Sequence, residues 1–272
     1  MSLFTCPICA APLTREDRIY RCPNRHSYDV AREGYVHLLP ANKKHSANPG
    51  DDKEMAAART RFLDGGWYAP LRDELCRLCL THTGHTPAMV DAGCGEGYYT
   101  AGIFDALVAA GRTPRLAGVD LSKTALKKAA RRTPGGEFAI ASVYHLPVGD
   151  GCADLLLDCF APLALEEYRR VLKPGGVFLY VVPAARHLFE MKQVLYENPY
   201  ENAEENIAYE GFDYLDVVPV ETSFHLEHEA LMDLFRMTPY TWKTPREGVE
   251  RLGGLGGLDV TAAFRIHVFR KK

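Results

Sequence analysis

Residues 90–100, Val-Asp-Ala-Gly-Cys-Gly-Glu-Gly-Tyr-Tyr-Thr, constrain this chain more than any other stretch. Three glycines stand at alternate positions, Gly93, Gly95 and Gly97. Before them Ala88, Met89 and Val90 form a short apolar run that reads as a buried strand. After them residues 101–110 have helix-forming composition. Strand, glycine turn and helix make the architecture of a nucleotide site, because glycine reaches positive φ and lets the backbone approach a ligand. The alternative is a tight strand–helix turn that binds nothing. The spacing is G-x-G-x-G, not the G-x-G-x-x-G of dinucleotide enzymes. A second strand over 115–119 ends in Gly118-Val119-Asp120. Asp120 therefore falls about 20–25 residues past the glycines, where an acid can hydrogen-bond ribose hydroxyls.

Asp91 ahead of the glycines, the D-x-G-C-G-x-G run and the later G-V-D together resemble the class I S-adenosylmethionine (SAM) methyltransferases. The resemblance implies an α/β fold with a Rossmann-like sheet. It places Gly93, Gly95 and Gly97 against the methionine and ribose, and Asp120 on the ribose. Many such enzymes carry an Asp where Ser142 stands, bonded to the adenine amine; here Ser142 or a backbone carbonyl would serve. Further on, residues 153–160 read as an apolar strand interrupted by Asp158 and followed by Ala161-Pro162. A helix over 163–172 then meets Lys173-Pro174-Gly175-Gly176 and a strand over 177–182. The L-K-P-G-G turn is another frequent methyltransferase feature.

At 272 residues the chain has room for one large domain and a small one. It holds no run of 18 apolar residues and no signal-peptide pattern, so it is expected to be cytoplasmic with no membrane contact. Its net charge of −3 is unevenly spread. Residues 1–61 carry ten Lys and Arg against seven Asp and Glu, and the remainder twenty-two against twenty-eight. A basic beginning on an acidic body points to a polyanion meeting the N-terminal end. The eight cysteines do not form a disulfide framework: three cluster at the N-terminus and the rest are scattered.

That N-terminal cluster reads Cys6-Pro7-Ile8-Cys9, then Cys22-Pro23-Asn24-Arg25-His26. Three thiolates and one imidazole at this spacing are a closed tetrahedral zinc set, structural rather than catalytic because no position stays open. A segment this short buries too little apolar surface to fold alone, so metal would fold it. Residues 28–40 alternate apolar and polar around Gly34 and are expected to close the ribbon. The division that follows is a zinc-binding, RNA-contacting ribbon over 1–40, a polar linker over 41–52 with Lys43, Lys44 and His45, and a methyltransferase domain over 53–272. Helices are expected over 53–63 and 71–80, the second with Leu71, Leu75, Leu78 and Cys79 at core spacing. Cys76 and Cys79 lie on that helix without further ligands nearby and read as core. A basic helix over 123–132 is capped by Ser122. In the last third, a helix is expected over 185–196, a polar cover over 198–216, and strands over 217–224 and 260–269. Tyr240 and Trp242 could stack a flipped base or clamp the sheet edge.

Read in order, the motifs carry a wider resemblance: C-P-x-C…C-P-x-R-H, E-G-Y-V-x-L-L-P, R-F-L-D-x-G-x-Y-x-P-L-R-D (residues 61–73), D-x-G-C-G-E-G-Y-Y-T, F-A-P, R-x-L-K-P-G-G, R-H-L-x-E-M-K and M-T-P-Y-x-W. Nearly the whole chain resembles the bacterial 23S ribosomal RNA guanine-N1 methyltransferases, which include macrolide-resistance relatives. The resemblance implies SAM as methyl donor, structural Zn2+ on Cys6, Cys9, Cys22 and His26, and a hairpin loop of 23S rRNA as substrate. It implies a homodimer whose ribbons face an RNA cleft, and a SAM site lined by Tyr68, Gly95, Glu96, Gly97, Tyr98 and His187. It names no catalytic base. Guanine N1 carries a proton at neutral pH and must lose it; Asp158, His187 and Glu96 are the candidates. N1 lies on the Watson–Crick edge, so the target is unpaired or extruded. The competing functions are a small-molecule SAM methyltransferase and a non-catalytic RNA-binding module. Arg18, Arg21, Arg25 and Arg32 on the ribbon oppose the first, and the intact Gly93, Gly95, Gly97 and Asp120 oppose the second.

Overall fold

The computed structural model of the protein describes residues 2–40, 53–204 and 208–272. The expected linker over 41–52, with its lysines, lies outside the described residues. The first three strands, β1 (Thr14–Glu16), β2 (Ile19–Arg21) and β3 (Ser27–Asp29), pair antiparallel as a small sheet. Positive φ at Asp17 turns β1 into β2. The expectation that residues 28–40 close this ribbon is corrected beyond β3. The next strand, β4 (Tyr35–His37), leaves the ribbon and joins the main sheet. Tyr35 and Val36 are both buried, and neighbouring strand residues point to opposite faces, so β4 needs cover on both sides.

The remaining strands are β5 (Ala88–Ala92), β6 (Arg115–Asp120), β7 (Glu137–Ile140), β8 (Ala153–Cys159), β9 (Leu172–Pro183), β10 (Phe212–Glu227) and β11 (Gly257–Lys271). The main sheet runs β10-β11-β9-β8-β5-β6-β7-β4, parallel from β9 to β4 and antiparallel at β11 and β10. β5 sits inside it and is buried at every residue, as a parallel strand covered on both faces requires. Alternation along β9 divides the core. Val177, Leu179 and Val181 face the larger cluster, while Phe178 faces the other.

The larger cluster is closed by α1 (Lys53–Asp64), α2 (Ala69–His82), α3 (Tyr98–Ala109), α4 (Lys123–Arg132), α6 (Phe189–Leu195) and α7 (His228–Met237), through side chains such as Phe62, Leu75, Leu107, Leu126, Met191 and Leu234. The opposite face is closed by α5 (Leu165–Val171) and by the ribbon's Phe4, Leu13 and Tyr20. Two short helices, α8 (Tyr240–Lys243) and α9 (Arg246–Gly253), complete the chain before β11. No described helix is long and apolar enough to cross a membrane.

Two expectations at the C-terminal end need correction. The helix read over 185–196 begins only at Phe189, because the chain first turns through Leu188 at φ 53°. The polar stretch over 198–216 is not one cover: residues 212–216 belong to β10, and the residues around Asn202 lie along the end of β9, with Asn202 N–H donating to the Ala185 carbonyl at 2.8 Å.

Candidate active site and metal centre

β5 ends at Ala92, and residues 93–97 carry the chain into α3. Gly93, Gly95 and Gly97 take φ of 83°, 53° and 77°, the left-handed region that glycine enters freely. Their surroundings differ. A Cβ on Gly93 would stand 2.4 Å from the Ala161 Cβ, and one on Gly97 would stand 2.9 Å from Ala129 of α4. Packing therefore accounts for these two. A Cβ on Gly95 would point into open space. That cradle lies outside the C-terminal ends of parallel strands, where open α/β sheets bind their ligands.

Asp120 closes one side of the cradle. Its Oδ2 accepts from Gly95 N–H at 2.9 Å and its Oδ1 from Ser122 N–H at 2.7 Å. The carboxylate is thus fixed against the glycine turn. Asp91 lies beneath. Its Oδ2 accepts from the Thr100 hydroxyl, and its Oδ1 is buried with no partner among the described residues. Burial pushes its carboxyl up to about 7. An orphaned buried carboxylate oxygen fits a cationic donor brought by a ligand, as the amino group of a methionine moiety would be. Ser142 stands two residues beyond β7, beside Asp120, since Ala141 N–H donates to the Asp120 carbonyl at 3.2 Å. Its hydroxyl accepts from Tyr144 N–H at 3.3 Å and its carbonyl from His145 N–H at 3.1 Å, so it shapes its own turn.

Aromatic rings form the other side. Tyr68, just before α2, is buried against Phe62, Phe264 and His187, with ring centroids 5.0, 4.9 and 6.4 Å away. The Tyr98 ring turns the other way, under the Arg72 guanidinium at 5.5 Å. Its neighbour Tyr99 instead reaches Phe160, 6.4 Å away, and Phe160 lies 5.6 Å from Phe264. Phe160 is 47% exposed and holds φ 65°, a strained conformation for a non-glycine residue at a strand end. Tyr98, which the resemblance puts on the SAM site, thus faces Arg72, while Tyr99, Phe160 and Phe264, which the sequence reading did not name for the site, line up with Tyr68. Only the F-A-P motif hinted at one of them, because ring direction depends on the exit angle of α3.

The three candidate bases are all committed to neighbours. The Glu96 carboxylate pairs with Arg132 at 2.8 Å and Lys128 at 3.7 Å and accepts from the Thr60 hydroxyl, tying the glycine turn to α4 and α1. Asp158 is buried; Oδ1 accepts from Ala161 N–H at 3.0 Å and Oδ2 accepts from the Tyr168 hydroxyl at 2.7 Å. Burial pushes its carboxyl up to about 7. His187 is buried with Nδ1 3.0 Å from the Ala263 carbonyl and 3.2 Å from its N–H. Burial pulls the imidazole down to about 4, so it is neutral at pH 7. Of the aromatics near the C-terminus, Tyr240 packs toward Tyr196, whereas Trp242 is 70% exposed.

In the ribbon, the ligand atoms of Cys6, Cys9, Cys22 and His26 all lie within 4.8 Å of one another. Cys9 Sγ stands 3.7 Å from Cys22 Sγ, and His26 Nδ1 stands 3.4 Å from both Cys6 and Cys22 sulfurs. Tetrahedral zinc at its usual bond lengths separates two sulfurs by about 3.8 Å and a sulfur from a nitrogen by about 3.6 Å. The donor set therefore fits zinc, in a closed site. The Tyr28 hydroxyl, 3.0 Å from Cys6 Sγ, supports that ligand from outside.

Comparison with known proteins finds a match for each of the two parts of the chain that hold these clusters. Residues 4–47 match the family model for the zinc ribbon of RlmA, N-terminal, and residues 90–180 match the methyltransferase domain model. The 23S rRNA (guanine(748)-N(1))-methyltransferase of Streptomyces fradiae is 36% identical, covering 97% of this chain and 95% of that one. A relative from Micromonospora griseorubida bearing the 23S rRNA (guanine-N(1)-)-methyltransferase name is 33% identical over 97% and 96%. Among solved structures, the methyltransferase bound to the Trm112 activator of Haloferax volcanii superposes with a TM-score of 0.50 at 20% identity, over 82% of this chain and 99% of that one. This likeness bears on the fold alone, that of a class I SAM methyltransferase. The full-length matches, joined to a Cys3His cluster and a glycine cradle in one chain, show that the protein belongs to the 23S rRNA guanine-N1 methyltransferase family.

Proposed function

We propose that this protein transfers a methyl group from SAM to N1 of a guanine in a hairpin loop of 23S rRNA, and that it acts in the cytoplasm as a homodimer. The observation that carries this reading is the coexistence of a zinc cluster and a ligand cradle in a chain aligned end to end with such enzymes. SAM supplies an activated methyl on a sulfonium, so the protein's task is alignment. Gly95 and its flanking glycines would hold the donor, Asp91 its amine, Asp120 its ribose, and the turn at Ser142 its adenine. Tyr68, Tyr99, Phe160 and His187 would shut water out around the reacting centre. His187, neutral and locked to Ala263, is suited to positioning rather than proton removal. Glu96 and Asp158 serve as struts. Residues 1–40 would grip RNA phosphates with exposed Arg15, Arg18, Arg21, Arg25 and Arg32. A small-molecule methyltransferase would have no use for that set of exposed arginines.

The test is incubation of the purified protein with labelled SAM and 23S rRNA from a strain lacking the modification. Primer extension then maps the product, because a methyl on N1 blocks base pairing. A single stop at a loop guanine is the expected result, and its position separates the resistance relatives from the rest. No stop, in protein shown to bind both zinc and SAM, would sink the assignment.

A further inference from the structure

The rings of the aromatic wall are not equally used by the fold. Tyr68 and Phe264 are buried and Tyr99 is half-buried, while Phe160 stays exposed. An exposed apolar ring taken singly needs no explanation. Phe160 adds a second cost, because its φ of 65° lies in the left-handed region that a side chain of its bulk rarely enters. Its position gives the two costs a common reason. The turn that carries it follows β8, and the next residue, Ala161, packs so closely on Gly93 that a Cβ there would stand 2.4 Å from the Ala161 Cβ. The turn after β8 and the glycine turn after β5 are therefore in direct contact, at the ends of neighbouring parallel strands.

A buried network braces this turn. Asp158 Oδ1 accepts from Ala161 N–H at 3.0 Å, and buried Tyr168 of α5 donates its hydroxyl to Asp158 Oδ2 at 2.7 Å. The same hydroxyl stands 3.2 Å from the Pro162 carbonyl. These bonds hold the backbone on both sides of Phe160, and strain of this kind persists only where neighbours fix it. The ring itself spans the wall. It lies 6.4 Å from Tyr99 in the first turn of α3 and 5.6 Å from Phe264, whose own ring packs on Tyr68 and His187. Two rings set its direction and leave part of it uncovered.

We infer that Phe160 is the platform on which the extruded guanine stacks, beside the methyl donor. The inference rests on the activity proposed above and adds the residue that orients its substrate. The chemistry asks for such a platform. Once the N1 proton has gone, the electron pair that attacks lies in the plane of the base. In-line displacement at the methyl carbon therefore needs that plane held at a fixed tilt. A flat ring on a braced turn fixes a plane, whereas a flexible aliphatic side chain fills space without doing so. Stacking makes no hydrogen bonds, so this surface selects an unpaired base and not guanine over adenine. Of the two rings that the sequence offered for stacking, Tyr240 is already packed against Tyr196 with Lys192 over its face, and Trp242 is carried by α8, which packs on α7.

The experiment measures kcat, KM and SAM affinity for wild type, F160L, F160Y and F160W on an rRNA fragment bearing the target loop. All three variants keep a side chain on the same left-handed backbone, and melting curves confirm that each is folded. Leucine stays apolar and still excludes water. F160L should bind SAM within about twofold of wild type and lose roughly tenfold to a hundredfold in kcat/KM, with kcat itself lowered. F160Y and F160W restore a flat ring and should recover most of that loss. On a fragment abasic at the target position, wild type and F160L should bind with equal affinity, because the lost contact is to the base. Wild-type kinetics in F160L overturns the inference and leaves Phe160 as a water barrier. Failure of both aromatic variants to recover the rate overturns it too, as does weaker binding of the abasic fragment by F160L. Loss of SAM binding in F160L also overturns it and makes Phe160 part of the donor site. A wild-type protein that binds SAM and leaves the RNA unmodified would instead sink the activity itself.

Discussion

Gly95 and Gly97 share a backbone conformation and differ in what surrounds them, so one substitution made twice separates ligand approach from packing. Alanine at either position in the left-handed region costs about 1–2 kcal/mol. At Gly95 the added methyl enters the open cradle. G95A should therefore fold with a small fall in Tm and lose SAM affinity about tenfold or more, some 1.4 kcal/mol of binding. At Gly97 the methyl meets the Ala129 backbone. G97A adds overpacking to the backbone penalty, roughly 3 kcal/mol in all, and a Tm lower by about 5–10 °C. Melting curves with and without SAM check both. Asp91 gives a pH prediction at the same scale. Burial raises its carboxyl to about 7, so in the ligand-free protein it is largely protonated below that pH. A cationic amine against its orphaned Oδ1 favours the charged form and lowers the pKa. SAM binding near pH 6 should then release a proton, and SAM affinity should rise from pH 5 to 7 and level off above. Calorimetry in buffers of different ionisation enthalpy measures the release, which D91N should abolish.

At the scale of elements, the ribbon braces the strand and turn that would hold the adenine end of the donor. Thr5 N–H donates to the Pro147 carbonyl at 2.8 Å, and Phe4 bridges Val148. Leu38 N–H donates to the Ile140 carbonyl at 3.0 Å, just past the pairing of β4 with β7. The Glu137 carboxylate of β7 accepts from the Tyr20 hydroxyl at 2.7 Å and from Leu3 N–H at 3.2 Å. Ribbon residues thus grip both flanks of the turn at Ser142. Metal is expected to fold the ribbon, so its removal should free that turn. Chelation of zinc, or C22S, should weaken SAM binding severalfold while far-ultraviolet circular dichroism keeps the signal of the main sheet and helices. Unchanged SAM affinity in demonstrably zinc-free protein would separate the two sites energetically.

Over the whole molecule, what could be read from the sequence was what lies close together along it. Cys6, Cys9, Cys22 and His26 span one short segment and were legible from their spacing, and the glycine turn with Asp91 needs only one strand–helix unit, which the resemblance supplied with a role. Phe160 and Phe264 are far apart in the chain and meet only because the sheet sets β8 and β11 on either side of β9. β4 looked like ribbon because its three residues alternate like any strand, and nothing local records that β7 has an open edge. Charge follows the same division. The net −3 gives no overall pull toward RNA, so attraction has to be local, on the ribbon's exposed arginines. Arg18 and Arg21 are partly spent on the Val30 carbonyl and on Glu16, whereas Arg25 extends from a left-handed turn between the last two zinc ligands. Each phosphate contact releases counterions and steepens the fall of affinity with salt, by roughly 0.7–0.9 per contact on a log–log plot. R25A should weaken binding of the rRNA fragment and reduce that slope by about one. SAM affinity should not change, because the Arg25 side chain is exposed and takes no part in the contacts that tie the ribbon to β7 and the turn at Ser142. Filter binding across a salt series reads the slope directly, and an unaltered slope would take Arg25 out of the RNA contact.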